Sequence, residues 1–148
     1  MAGWHWQAWG PSDPGGSLAG WTDGLRRRSG RDRIPISWAA LLGDTPVGSV
    51  ALVESDMASH PELAPWLSGL MVLPAYRGRG VGTALTAHCE GTAARLRVRR
   101  LYLYTESAYA FYAARGWRTI DQETYAGELV SIMAKDLARA EPATRRER

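Results

Sequence analysis

Apolar and polar positions follow two different periods along this chain. "PISWAALLG" (35–43) and "VGSVALVES" (47–55) are mostly apolar runs on either side of Asp44 and Thr45, just before Pro46, which predicts a β-hairpin with its turn at those two residues. "WLSGLMVL" (66–73) is almost continuously apolar, as a strand buried on both faces would be. "RRLYLYT" (99–105), "WRTIDQETY" and "ELVSIMAKDL" also read as strands, the last two joined around Ala126 and Gly127. Between them the period changes. Val81, Leu85, His88 with Cys89, Ala93 and Leu96 recur at helical spacing, so a helix is expected from about Gly80 to Arg95. "SAYAFYAARG" (107–116) predicts a short helix closed by Gly116, a residue suited to a left-handed C-terminal position.

The ends are less patterned. Residues 1–16, rich in Trp, Gly and Pro, offer only a short strand near Trp4 to Trp9. Residues 17–29 read as a helix with Ser17 as N-cap and Leu18, Trp21 and Leu25 on one face. "DMASHPELAP" (56–65) is a loop with two prolines, and the charged tail 138–148 is expected to be disordered. The order of elements implies a mixed α/β domain in which the strand–helix–strand unit 66–105 holds two parallel strands.

Composition narrows the picture modestly. The 148 residues suit one domain, with 45% hydrophobic and 22% charged residues. One cysteine, Cys89, excludes an internal disulfide, and no apolar run reaches membrane-spanning length, so a cytoplasmic protein without membrane contact is expected. The net charge of +3 hides arginine clusters at 26–28, 31 and 33, and again at 95–100. Such clusters suit an anionic partner, a polyphosphate ligand as readily as a nucleic acid. "RRRSGRDR" has no interleaved aromatics to stack bases, which disfavours RNA and leaves a solvated face as the simpler reading. His88 and Cys89 have no second ligand pair, so no metal is expected.

The chemistry centres on "VLPAYRGRGVGTALTAHCEG" (72–91), where Gly78, Gly80 and Gly82 interrupt the passage from apolar strand to helix. The first amides of a helix lack internal partners and carry the positive end of its dipole. Glycines at the entrance let an anion sit on those amides, so strand, glycine loop and helix together form a phosphate site. The spacing fits neither of two well-known versions. A P-loop would place Lys before Ser or Thr, whereas Gly82 precedes Thr83, and the dinucleotide fingerprint would place its third glycine where Thr83 stands.

What does fit is Arg-x-x-Gly-x-Gly after an apolar strand and a proline. "LMVLPAYRGRGVGTAL" resembles motif A of the GNAT N-acetyltransferase superfamily, which binds the pyrophosphate of acetyl-coenzyme A, and "AYAFYAARGW" resembles its motif B. The resemblance spans about residues 35–137, which would be the acetyltransferase core, with 1–34 as a shortened N-terminal strand and helix segment of the same domain. It implies a GNAT-type central sheet with antiparallel N-terminal strands, a parallel pair (66–73 and 99–105) splayed at the cofactor site, and flanking helices. It also implies an N-acetyltransferase that moves acetyl from acetyl-coenzyme A to a primary amine of a small molecule or peptide, by direct attack in a ternary complex. The cofactor contacts would be Leu70, Met71 and Val72 along the strand, then Arg77, Gly78, Arg79, Gly80, Val81, Gly82 and Thr83. A homodimer is compatible with this reading. Many members carry a glutamate near the start of the strand before motif A, whereas Trp66-Leu67-Ser68-Gly69 holds none.

Acetyl transfer needs a base for the amine and an acid for the leaving thiolate. By resemblance the acid is Tyr112, with Tyr109 one turn earlier as the alternative hydroxyl, while Phe111 reads as core. Base candidates are Glu54, Asp56, His60, Glu62 and Glu106; Glu62 ranks first because "HPELAPW" leads directly into the strand beside the thioester, and His60 could do the same work. Acidic side chains, Asp121 included, are expected to line the amine's entrance opposite the arginine loop. A coenzyme A-binding regulatory or interaction module with degraded catalysis is the alternative reading.

Overall fold

The computed structural model describes residues 33–138. The expected strand near Trp4, the helix 17–29 and the charged tail from residue 139 onward lie outside the described residues. The elements are β1 (Ile36–Leu42), β2 (Thr45–Val53), β3 (Trp66–Val72), a 3-10 turn (Pro74–Tyr76), α1 (Val81–Arg95), β4 (Arg100–Thr105), α2 (Tyr109–Ala113), β5 (Arg118–Tyr125) and β6 (Glu128–Asp136). Every strand expected in this span is present. One sheet orders them β1-β2-β3-β4-β6-β5, and all neighbours are antiparallel except β3 and β4.

Turn chemistry sets the hairpins. Leu42 pairs with Thr45, so the first turn is Gly43-Asp44, one residue earlier than expected. Gly43 sits at φ +61, the left-handed position a two-residue hairpin favours for glycine, and Thr45 is freed to enter the strand. At the second hairpin both turn residues, Ala126 and Gly127, have positive φ (49 and 84), as a type I′ turn requires.

Helix α2 is shorter than the sequence pattern suggested. It closes in a Schellman arrangement: Trp117 N–H donates to the Tyr112 carbonyl, Gly116 N–H donates to Ala113, and Gly116 holds φ +89. Tyr112 and Trp117 then meet edge to face at 6.0 Å, the apolar contact that accompanies this cap.

The two faces of the sheet carry separate cores. Val50, Leu52, Leu67, Leu101, Leu103 and Met133 pack under α1 and α2, against Leu85, Cys89, Ala93, Tyr112 and Trp117. The opposite face packs Ala51, Val53, Trp66, Val130 and Ile132 around Met57, from the loop between β2 and β3. Helix α1 seats closely because β2 carries Gly48 beneath it. A Cβ there would lie 2.8 Å from the Met71 carbonyl oxygen and 3.0 Å from Leu85 Cδ1.

Candidate functional site

The site forms where β3 and β4 part. Only Trp66 and Tyr102 pair in register, beside a hydrogen bond from Tyr102 N–H to the Pro65 carbonyl (3.1 Å). Beyond that point the parallel strands separate toward their C-terminal ends, as the family resemblance implied. A bulge deepens the split. Ser49 pairs with Met71 and Ala51 with Ser68, which leaves Gly69 and Leu70 opposite Val50 alone. Gly69 takes φ +60 there, and Ser49 Oγ donates to its carbonyl at 3.3 Å. The β4-facing edge of Leu70 and Met71 is left without a strand partner.

The glycine loop begins at the end of this edge. Gly78 and Gly80 hold φ +77 and +81, conformations that side-chain-bearing residues resist. Gly80 is the N-cap of α1, with no side-chain cap and no acidic residue in the first turn. A Cβ at Gly78 or Gly80 would meet nothing within 4 Å, so the space over these backbone groups is open. Uncapped amides at the positive end of a 15-residue helix, with open space before them, suit a phosphate group. Arg79 is exposed and its guanidinium lies 5.6 Å from the Tyr76 ring centroid. Arg77 folds back instead, its Nε donating to the Val72 carbonyl at 3.0 Å. Val72 thus presents to Arg77 the carbonyl expected to face the pantetheine arm.

Tyr112, on α2, turns into the core between the helices and the sheet. It is 6% exposed, its ring meets Phe111 and Trp117, and burial pushes its phenol up to about 12, with Cys89 nearby adding to the shift. It therefore stays protonated across the physiological range, as a proton donor must. Phe111 packs toward Gly82, whose Cβ position would lie 3.6 Å from Phe111 Cζ. Tyr109, the alternative hydroxyl, is 53% exposed. Cys89 is fully buried and its thiol is pushed up to about 12 by burial, so it belongs to the core.

Base candidates other than Glu54 collect on the other face. His60 sits between two carboxylates, Nδ1 at 3.2 Å from Glu62 Oε1 and Nε2 at 3.2 Å from Glu123 Oε2. Its pKa is raised, first by the Glu62 hydrogen bond and further by Glu123, against an opposing desolvation. Glu62 is exposed, and its carboxyl is held below the usual range by its own backbone amide and by His60. Ser59 Oγ also donates to Glu123 Oε1 (2.6 Å), so Glu123 ties the β2–β3 loop to β5. Asp56 and Glu106 lie close enough to Tyr104 to add to the upward shift that burial gives its phenol. Tyr104 pairs with Ile132 and Asp121 does too, so both stand on this face, away from α1.

Glu123 was not among the sequence candidates. Its signal was the two-residue alternation Asp121, Glu123, Tyr125, which puts all three on one face of a strand. Glu54 remains exposed at the end of β2. Among the described residues, no group of three or more His, Cys, Asp or Glu is placed to hold a metal ion, and no helix is long and apolar enough to cross a membrane.

Comparison with known proteins fits this geometry. The acetyltransferase (GNAT) family model matches residues 2–117. No curated protein matches the chain. Among solved structures, a Lactobacillus plantarum protein assigned to the N-acetyltransferases is 28% identical at a TM-score of 0.55, over 66% of this chain and 65% of its own length, a little under two thirds. Arabidopsis thaliana Naa50, in complex with the bisubstrate analogue CoA-Ac-MVNAL, is 23% identical at a TM-score of 0.56, over 67% of this chain and 71% of that one. An aminoglycoside 6′-N-acetyltransferase complexed with coenzyme A covers 96% of this chain and 91% of its own, at 18% identity and a TM-score of 0.74, a likeness of fold. With its family model matched from residue 2 to residue 117 and its parallel strands parted at the glycine loop, the chain belongs to the GNAT acetyltransferase family.

Proposed function

We propose that this protein transfers the acetyl group of acetyl-coenzyme A to a primary amine of a small molecule or peptide, by direct attack in a ternary complex. The observation that carries the reading is the β3–β4 split opening onto uncapped α1 amides, with a buried tyrosine on the next helix. The diphosphate would rest on the amides of residues 79–83, with Arg77 and Arg79 beside it. The pantetheine arm would lie along Leu70 to Val72 as an added strand would, and Arg77 would release the Val72 carbonyl when the arm arrives. The thioester then reaches the gap between the strands.

Attack requires a neutral amine, and amines of pKa near ~8 to ~10.4 are mainly protonated at neutral pH. Glu62, with His60, would take that proton. Of the two, His60 is better matched to it, because the flanking carboxylates raise its proton affinity while Glu62's is lowered. In its neutral form His60 keeps one carboxylate contact and offers the other ring nitrogen. As the C–S bond breaks, Tyr112 would give its proton to the thiolate sulfur. The acidic groups on the face away from α1 favour a cationic acceptor, and the peptide-bearing and aminoglycoside-acetylating relatives fit an amine of either kind.

The test is thiol release from acetyl-coenzyme A with a panel of polyamines, aminoglycosides and peptide amines, alongside calorimetric titration with the donor. Turnover of any amine in the panel supports the reading. Tight donor binding without turnover of any amine would turn it toward the regulatory coenzyme A-binding module.

A further inference from the structure

The phosphate side holds a cation that neither the glycine motif nor the general acid explains. Arg115 follows α2 and reaches back across the site. Its Nη2 donates to Thr83 Oγ1 at 2.6 Å and its Nη1 donates to the Phe111 carbonyl at 2.6 Å. The guanidinium carbon lies 3.7 Å from the Phe111 ring centroid. Its Nε is buried and has no hydrogen-bond partner among the described residues. Nor does any carboxylate among them pair with it.

This placement is electrostatically unfavourable in the unliganded protein. Thr83 belongs to the first turn of α1, where the helix dipole is positive and favours anions. Arg77 and Arg79 already bring two positive charges to the same loop. A third cation there, held by two neutral oxygens, lacks a negative charge to balance it. A guanidinium has five donors in a planar fork that matches a phosphate, and two donors are used here.

We propose that Arg115 is a binding residue for the diphosphate of the coenzyme, closing the amide cradle of α1 from the side of α2. The proposal rests on the acetyl-coenzyme A reading above. It makes one residue serve both halves of the site. Arg115 N–H donates to the carbonyl of Tyr112, so a phosphate drawn onto the guanidinium also fixes the turn that carries the proposed acid.

The test uses wild type and Arg115→Gln. Coenzyme A and dephospho-coenzyme A are titrated calorimetrically, S-acetylpantetheine (which has no phosphate) is followed by thiol release, and melting temperatures are recorded. A charged hydrogen-bond partner is worth on the order of ten- to a hundredfold in affinity. That loss is expected for both phosphate-bearing ligands, with a clearly smaller loss in S-acetylpantetheine turnover. An equal loss with all three would show a purely structural cap on Phe111 and overturn the proposal. A loss confined to coenzyme A would move the contact to the 3′-phosphate and overturn the diphosphate assignment. Should Arg115→Gln melt too early to assay, Arg115→Lys gives the same test, because one ammonium cannot hold Thr83 and a phosphate as the fork does. Wild type that fails to bind coenzyme A at all would sink the acetyl-coenzyme A reading first, whereas wild type that binds while both variants match it sinks only this one.

Discussion

The two sides of the β3–β4 split are made from different materials. On the α1 side the groups proposed to do the recognising are backbone amides and glycines within a few residues of one another, and their geometry is set by local φ values at Gly78 and Gly80. On the opposite side the groups are side chains brought from far apart: His60 and Glu123 are 63 residues distant in sequence and 3.2 Å distant in space. The first kind of site survives most side-chain changes and fails when the backbone is altered. The second depends on loop packing and on protonation.

The contrast predicts a graded series of effects. The largest concerns Tyr112, which belongs to the buried helix side. Tyr112→Phe keeps the ring packing against Trp117 while removing the proposed proton donor, so turnover should fall by roughly 10²–10⁴-fold with cofactor affinity and melting temperature retained. Turnover within about twofold of wild type would make Tyr112 a packing residue and return the acid role to Tyr109 or water. Since its phenol stands near 12, it should contribute no alkaline limb to the pH–rate profile below about pH 10.

Next comes the backbone itself. Gly80→Asp places a charged side chain on a residue at φ +81, directly before the α1 amides. Coenzyme A affinity should fall more than about tenfold, about 1.4 kcal/mol. Unchanged affinity in a folded variant, measured by calorimetry, would break the claim that amides do the recognising.

A smaller effect separates seat from site. Gly48→Ala would push a methyl against the Met71 carbonyl and Leu85, and overpacking of this kind costs about 1–3 kcal/mol. Thermal melting should show that loss. Coenzyme affinity should weaken along with it, because α1 would be lifted from the strand that carries its entrance. A melting temperature equal to wild type would show that β2 yields instead.

The smallest effect tests the other side through pH. His60's raised pKa means that the folded protein holds this proton more tightly than the unfolded chain. Its contribution is full below about pH 6.5, the ordinary histidine value, and is lost as pH rises through the raised pKa. Glu62, lowered, contributes above its ordinary value and loses that contribution as pH falls through the lowered one. The latch is therefore strongest in mildly acidic solution. The gap in melting temperature between wild type and His60→Gln should be widest there and close toward alkaline pH. A gap that does not vary with pH would reduce the latch to shape alone.

Much of the proposed cofactor side could be read from the chain because it is contiguous. Apolar strand, proline, spaced glycines and helical periodicity occupy residues 66–95, and the physics that joins them acts between near neighbours. The buried face of α1 was likewise legible: Leu85, Cys89 and Ala93 are buried as their spacing required, while His88 turned outward to meet Trp38 edge to face at 5.1 Å. Boundaries moved where turn geometry outweighed propensity, at Gly43 and at Gly116.

Tertiary structure alone decided the rest. Whether Gly69 bulges depends on the register between β2 and β3, which no single strand encodes. Arg115 reads in sequence as an ordinary residue of a helix end, and its reach to Thr83 exists only because α2 folds back over the first turn of α1. Glu123 sits in a polar strand that marks every second residue alike, and what singles it out is the β2–β3 loop laid across the sheet, with Met57 buried beneath it and Ser59 and His60 on its carboxylate. Period and local backbone preference act over a few residues and are written in the sequence; which distant side chains meet is fixed by how the layers pack, and only the folded chain holds that information.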